Sequence, residues 1–245
     1  MAPYAREELL ACALARLIGA ARHVAVGAAS PIPATGAYLC KCFHNEKLRI
    51  SLLHKRRGNP YTEGSRELFD LAGQGRIDVF FLGGAQIDGE ANLNLVAAEG
   101  KRFPGSFGSA FMYFAAARTI LFREEHSRRV LVPKVDFISA PGWSPAGVAR
   151  RGGPQALLTG KALFDWQPAA RRFRLASVHP GHSAEEIRAD TGFDYDVSPA
   201  LQQTPAPSAE ELALLRGPVC EAIADNYPAF GRRVWPARSN TFGAA

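Results

Sequence analysis

Residues 83 to 94 read Gly83-Gly84-Ala85-Gln86-Ile87-Asp88-Gly89-Glu90-Ala91-Asn92-Leu93-Asn94, the densest cluster of chemically capable residues in a chain of 245. Adjacent glycines let a backbone approach a ligand closely. Gln86, Asn92 and Asn94 bring amides that donate to carbonyls and accept from hydroxyls. Asp88 adds a carboxylate. The same composition suits a polar turn whose Asn and Asp side chains bond their own backbone. Spacing alone leaves both readings open.

Other clusters are poorer in chemistry. Ser51, Ser106 and Ser139 lack the Gly-x-Ser-x-Gly setting of an α/β-hydrolase nucleophile. Gly58, Tyr61 and Gly64 punctuate a loop without phosphate-loop or dinucleotide spacing. His179 and His182 flank Pro180-Gly181 in a turn with no third metal ligand in sight, and Cys12, Cys40, Cys42 and Cys220 have no zinc-like spacing, so small buried hydrophobes is the default reading for the cysteines.

The elements that must position the glycine pair follow the pattern of an α/β protein. Leu10, Leu14, Leu17 and Ile18 recur at the helical period ahead of a short strand, His23 to Val26. The small, proline-bearing stretch 28–35 predicts a loop, with a helix over 36–43 and a strand over 48–53. Ser65 caps a helix to about Leu71, and Ile77 to Leu82 is a nearly continuous apolar strand ending at Gly83. In open parallel sheets ligands bind beyond the carboxyl ends of strands, which is where this pair falls. Further strands are expected over 118–122, 129–137, 156–164 and 172–178, with 161–164 and 172–177 forming a hairpin, and helices over 183–189 and 209–216. The fold class expected is α/β, an open and mainly parallel sheet with flanking helices. A domain over 1–200 is followed by an arm over 201–245, partly disordered, that wraps the core or a partner.

A net charge of +6 is carried by scattered Arg and Lys, which reads as solvated surface with some attraction for anionic ligands. No basic stripe interleaved with aromatics points to nucleic acid. No run approaches the ~18 apolar residues of a membrane span, and the N-terminus does not read as a cleavable signal. A cytoplasmic protein with no nucleic-acid or membrane partner is the expectation.

Gly83 to Asn94 resembles the Gly-Gly-x-Gln-x-Asp-x-x-Gly-Asn-x-Asn signature of class I CoA-transferase β subunits, of the glutaconate CoA-transferase type. Other blocks match in order: Val26-Gly27, Lys134 to Trp143, and Ser183 to Ile187 running on to Thr191-Gly192-Phe193-Asp194. The resemblance covers about Glu7 to Val197. It implies coenzyme A as a co-substrate with no permanently bound cofactor or metal, an acyl-CoA ligand, and a homologous α subunit or a homo-oligomer as partner. By the same resemblance Gly83, Gly84, Gln86, Asp88, Asn92, Asn94, Gly105, Ser106 and Gly108 are the expected ligand-binding residues.

Three departures bear on chemistry. The family's nucleophile is a glutamate that follows the strand corresponding to Arg49 to Leu52, and the residue there is Leu53, which cannot form an acyl anhydride. His54, beside Lys55, Arg56 and Arg57, is the candidate replacement as a general base for water, its cationic form disfavoured by like charge. Where the family has Gly-Ser-Gly-Gly, this chain has Gly105-Ser106-Phe107-Gly108, and Phe107 would either crowd the acyl-CoA path or stack on an altered substrate. Ala91 replaces the family's glycine before Asn92, where a positive φ is expected. The activities implied are those of an altered CoA-transferase, of a hydrolase of a CoA thioester or CoA-linked ring with its key acid in the partner, or of a ligand-binding relative without turnover.

Overall fold

The computed structural model describes residues 4–238 other than His54, Arg56 and Glu99. The chain divides into two compact units, residues 1–68 with 205–245 and residues 69–204.

The first unit opens with α1 (Arg6–Ile18), β1 (His23–Val26), α2 (Pro31–Phe43) and β2 (Arg49–Leu52), and α3 (Ser65–Gly73) leads into the second unit. Strands β1 and β2 pair in parallel, His23 opposite Arg49 and Val26 opposite Leu52. Helix α2 begins at Pro31, inside the expected loop. Pro31 occupies the first turn, where N–H groups have no partner within a helix, so the proline there breaks nothing. Gly36 is needed because α1 and α2 cross closely: a Cβ there would meet the Leu14 Cβ at 2.7 Å.

The second unit carries β3 (Val79–Leu82), β4 (Gln86–Ile87), β5 (Leu93–Asn94), β6 (Ala97–Ala98), β7 (Lys101–Arg102), α4 (Ser109–Ala115), β8 (Arg118–Arg123), β9 (Pro154–Thr159), β10 (Ala162–Gln167), β11 (Arg172–Val178), α5 (Ala184–Asp190) and β12 (Asp196–Gln203). Within it the main strands lie in the order β12-β11-β10-β9-β8-β3. Strands β3, β8 and β9 are parallel, β9, β10 and β11 antiparallel, and β12 parallel to β11. The α/β class with a mainly parallel sheet is the one expected.

Two strand expectations are corrected. The stretch 156–164 is two strands, because Thr159 Oγ1 accepts the N–H groups of Lys161 and Ala162 and turns the chain back on itself. The stretch 129–137 joins no strand of the main sheet; it touches β4 through an isolated bridge, Ile87 to Leu131. Its backbone polar groups go to the glycine-rich segment instead. The hairpin β10–β11 forms as expected, with a bulge at Leu163/Phe164.

The expected boundary after residue 200 falls inside β12. Beyond it, α6 (Ala209–Leu214), a π-helical turn (Leu215–Val219), α7 (Cys220–Ala224) and α8 (Pro228–Val234) belong to the first unit. They are tied to α1 by buried charge. Glu8, 2% exposed, accepts from Arg216 Nε at 2.8 Å, Trp235 Nε1 at 3.0 Å and the Ala5 N–H at 2.8 Å. Burial raises its pKa, yet these donors outweigh burial and hold it below the usual carboxylate range. Among the described residues no helix is long and apolar enough to cross a membrane.

Candidate functional site

The carboxyl edge of β3, β8 and β9 positions the site. Strand β3 ends at Leu82 and delivers Gly83-Gly84 to that edge. Helix α4 returns the chain from there to β8, which is parallel to β3, so its N-terminal loop, Gly105 to Gly108, lies at the same edge.

The glycines are fixed by crowding. A Cβ at Gly83 would stand 2.7 Å from the Phe122 carbonyl oxygen, and one at Gly84 would stand 2.8 Å from that of Gln86. At Gly108 a Cβ would overlap the Phe69 ring at 2.0 Å, whereas Gly105 has open space and a φ of +103°. Gly105 therefore serves a backbone turn, and Gly108 a close approach.

Between β4 and β5 the chain makes a hairpin whose polar side chains are almost wholly engaged. Asp88, 4% exposed, accepts from the N–H groups of Glu90 at 3.1 Å, Asn92 at 3.0 Å and Val135 at 3.4 Å, and from Asn92 Nδ2 at 3.2 Å. Burial raises its pKa, and these hydrogen bonds offset only part of that. Asn92 Oδ1 accepts the Gly142 N–H at 3.0 Å. Asn94, fully buried, donates Nδ2 to Gln86 Oε1 at 2.9 Å and to the Ala97 carbonyl at 2.6 Å. Gln86 Oε1 also accepts the Asp136 N–H at 3.0 Å. Asp88, Asn92 and Asn94 are thus framework. They lace the hairpin to the strap of residues 130–142, which runs beside it through Ile87 N to Val130 O at 2.8 Å and Leu93 N to Ala140 O at 2.9 Å.

Gln86 differs from its neighbours. Its Nε2 makes no hydrogen bond among the described residues, and the side chain lines a cleft of about 370 Å³ together with Ala85, Ala98, Lys101, Phe103 and Arg129. Arg129 is partly neutralised by Glu125, to which its Nε donates at 3.2 Å. Sequence reasoning singled out none of Lys101, Phe103 and Arg129, leaving the cations among the scattered surface charge. No spacing rule marks them, because β6, β7 and the segment after β8 carry them there.

Ser106 is half-buried, and its carbonyl accepts the Ser109 N–H at 2.8 Å to open α4. Phe107 is 77% exposed with φ of +48°, its ring 5.6 Å from that of Phe69. Leu53 follows β2 in the first unit, its N–H donated to the Val26 carbonyl at 3.0 Å. His54 lies outside the described residues. Among the described residues no group of His, Cys, Asp and Glu is arranged to hold a metal ion.

Ala91 has a φ of +60°, the left-handed conformation expected where the family signature has glycine. An L-residue there costs about 1–2 kcal/mol. Ala91→Gly should therefore stabilise the protein by about 0.5–1 kcal/mol after the added freedom of the unfolded chain is discounted. A thermal melt checks it, and a lower midpoint would show that the alanine methyl contributes more than the strain costs.

The parallel α/β edge with its glycine-rich turn and laced hairpin is consistent with the fold of CoA-transferases. The chain belongs to the Coenzyme A transferase family, whose profile matches residues 10–190. A glutaconate CoA-transferase chain of Acidaminococcus fermentans is 34% identical over 147 residues, covering 55% of this chain and 54% of that one. The cholesterol ring-cleaving hydrolase IpdB subunit of Rhodococcus jostii is 28% identical over 163 residues, 62% of each. The matches thus span little more than half the length of these relatives. The crystal structure of the decarboxylase AibA/AibB aligns with a TM-score of 0.73 at 28% identity, covering 86% of this chain and 93% of that one.

Proposed function

We propose that this chain is the β-type subunit of an enzyme acting on an acyl-CoA, without the glutamyl anhydride chemistry of the family's transferases. The observation that carries the reading is Leu53 directly after β2, where the family resemblance calls for the nucleophilic glutamate. A leucine has no lone pair to attack a thioester carbonyl. The binding half of the task is supported by Gln86, whose Oε1 is pinned by Asn94 and Asp136 while Nε2 remains available beside Lys101 and Phe103. A pinned amide donor suits a thioester or pantetheine carbonyl, since little order is lost when it binds.

Hydrolysis is the favoured reaction. Water attacks the acyl carbon, the C–S bond breaks, and the proton taken from water is returned to the CoA thiolate. His54 is the base proposed on this chain and the essential acid is assigned to a homologous partner subunit. The relatives named as a ring-cleaving hydrolase and a decarboxylase support the reading that this scaffold serves more than CoA transfer.

The test mixes the chain, alone and with the product of its α-type genomic neighbour, with a panel of acyl-CoAs, and measures free thiol. Release only with the partner, and no borohydride-reducible CoA adduct on this chain, is the expected result. A covalent CoA adduct on this chain would overturn it, as would thiol release that requires an acceptor carboxylic acid. His54→Ala should reduce turnover by about 10²-fold or more if it is the base; unchanged turnover removes it from the mechanism.

A further inference from the structure

The first unit holds a second cleft that the acyl-CoA reading does not use. It measures about 340 Å³ and is lined on its polar side by Lys41, Lys47, Arg49, Lys55, Ser51 and Tyr61, with no acidic residue in its wall among the described residues. Lys41 is anchored, donating Nζ to the carbonyls of Glu46 and Leu48 at 2.7 Å each. Lys47, Arg49 and Lys55 take part in no ion pair among the described residues. Elsewhere cations do reach carboxylates, as Arg16 does with Glu211 and Lys161 with Glu186 and Asp190.

The floor of the cleft is a hydrogen-bonded chain of three side chains. Ser51, 3% exposed, places Oγ 2.7 Å from His23 Nε2 and 2.5 Å from Tyr61 Oη. His23 is itself buried at 4% exposure. Strands β1 and β2 supply the first two members through their parallel register, and the loop after β2 brings Tyr61 back against them. With His23 Nε2–H donating to Ser51, the Ser51–Tyr61 pair keeps one pre-oriented hydroxyl proton for a ligand, and the four cations of the described wall raise the local concentration of anions.

We propose that this cleft binds the phosphate group of a small molecule, with Lys47, Arg49 and Lys55 supplying charge and the Ser51–Tyr61 pair supplying one directed hydrogen bond. A carboxylate also accepts hydrogen bonds, but it brings two oxygens and a single charge to a wall with several cations. A phosphoryl group, with three acceptor oxygens and up to two negative charges, matches both the number of cations and the hydroxyl floor. The chemistry is shared by free phosphate, nucleotides and the nucleotide end of coenzyme A. The site is independent of the Gln86 cleft, so it can stand if the acyl-CoA reading falls.

Titration calorimetry on the full chain with inorganic phosphate, ADP and CoA separates these sources, with adenosine, pantetheine and succinate as controls. Saturable binding of at least one phosphate compound and none of the three controls is expected. Arg49→Ala with Lys47→Ala should weaken that binding at least tenfold while Gln86→Ala leaves ADP and phosphate binding unchanged. Ser51→Ala should weaken it several-fold. Should the double variant fold poorly, by circular dichroism, Lys47→Glu alone serves, being an exposed side chain. The proposal is overturned if no phosphate compound binds saturably, if adenosine or succinate binds as well as its phosphate counterpart, or if the cation variants leave affinity unchanged.

Discussion

Replacing Asp88 with alanine is expected to destabilise the second unit by about 3–5 kcal/mol, more than any other single side-chain change at the candidate site. The carboxylate is buried and gathers four donors, the N–H groups of Glu90, Asn92 and Val135 and the Asn92 side-chain amide. Alanine would leave the Asn92 and Val135 groups unsatisfied in an interior that admits little water, at about 1–3 kcal/mol for each stranded donor. The strap of residues 130–142 would then be held to the hairpin by backbone bonds and the Gln86, Asn92 and Ser139 side chains. For a chain of this size the melting midpoint should fall by about 6–20 °C. Asp88→Asn should lie between the parent protein and the alanine variant, because its carbonyl oxygen still accepts while its NH2 faces donors. A midpoint within about 1 °C of the parent protein for Asp88→Ala would show that water replaces the carboxylate at no cost, and the framework reading would fail.

Acid should weaken the fold through two buried histidines before low-held carboxylates such as Glu8 titrate, whereas Asp88, its carboxyl pushed up by burial, works in the opposite direction. His126 and His179 are buried, and burial is the leading cause that pushes each imidazole down to about 4. His126 sits between Thr159 Oγ1 at 2.7 Å and Thr191 Oγ1 at 3.0 Å. The Thr191 hydroxyl donates to the Ile187 carbonyl, so it accepts from His126 Nε2–H. His179 donates Nε2–H to the Thr159 carbonyl at 3.0 Å and stands 2.7 Å from Thr204 Oγ1. Burial therefore favours the neutral form of both rings in the fold. In the unfolded chain each gains a proton near about pH 6.5, so the unfolded state binds more protons below that value. Stability from these groups is fully present above about pH 6.5, falls as pH drops, and is exhausted near about pH 4, a loss of up to about 3 kcal/mol for each ring. Carboxylates held low, Glu8 among them, lose their contribution only below the ordinary carboxylate range. Urea melts between about pH 7 and 4.5 should show the slope, and His126→Gln with His179→Gln should flatten it even if both lower the starting stability. A pH-independent midpoint across that window for the parent protein would mean that neither ring is buried as described.

The glycine-rich segment could be found from the chain alone because its constraints are local. Gly83 and Gly84 end a continuous apolar strand, and a strand that ends on two glycines must turn wherever it lies in the sheet. The α/β class, the β10–β11 hairpin and the family were legible for the same reason: periodicity, turn residues and ordered blocks are properties of neighbours in sequence. The positive φ at Ala91 was legible only through the resemblance, because the family signature has glycine there.

What only the tertiary structure decided was the division of labour within that segment. Gln86, Asp88, Asn92 and Asn94 are equally polar in sequence, and all four could have faced a ligand. The strap of residues 130–142 decides otherwise, because it brings the backbone N–H groups of Val135, Asp136 and Gly142 from some fifty positions away onto three of those side chains. A buried N–H without a partner is costly, so Asp88 and Asn92 become framework, whereas Gln86 accepts through Oε1 alone and keeps its Nε2 donor unengaged among the described residues. The second cleft was hidden for the same reason. His23, Ser51 and Tyr61 share no motif; the parallel register of β1 and β2 and the return of the following loop put their polar atoms within hydrogen-bonding distance. Local residue types set which turns and strands form, whereas the pairing of distant backbone donors with side chains sets which polar groups remain for chemistry.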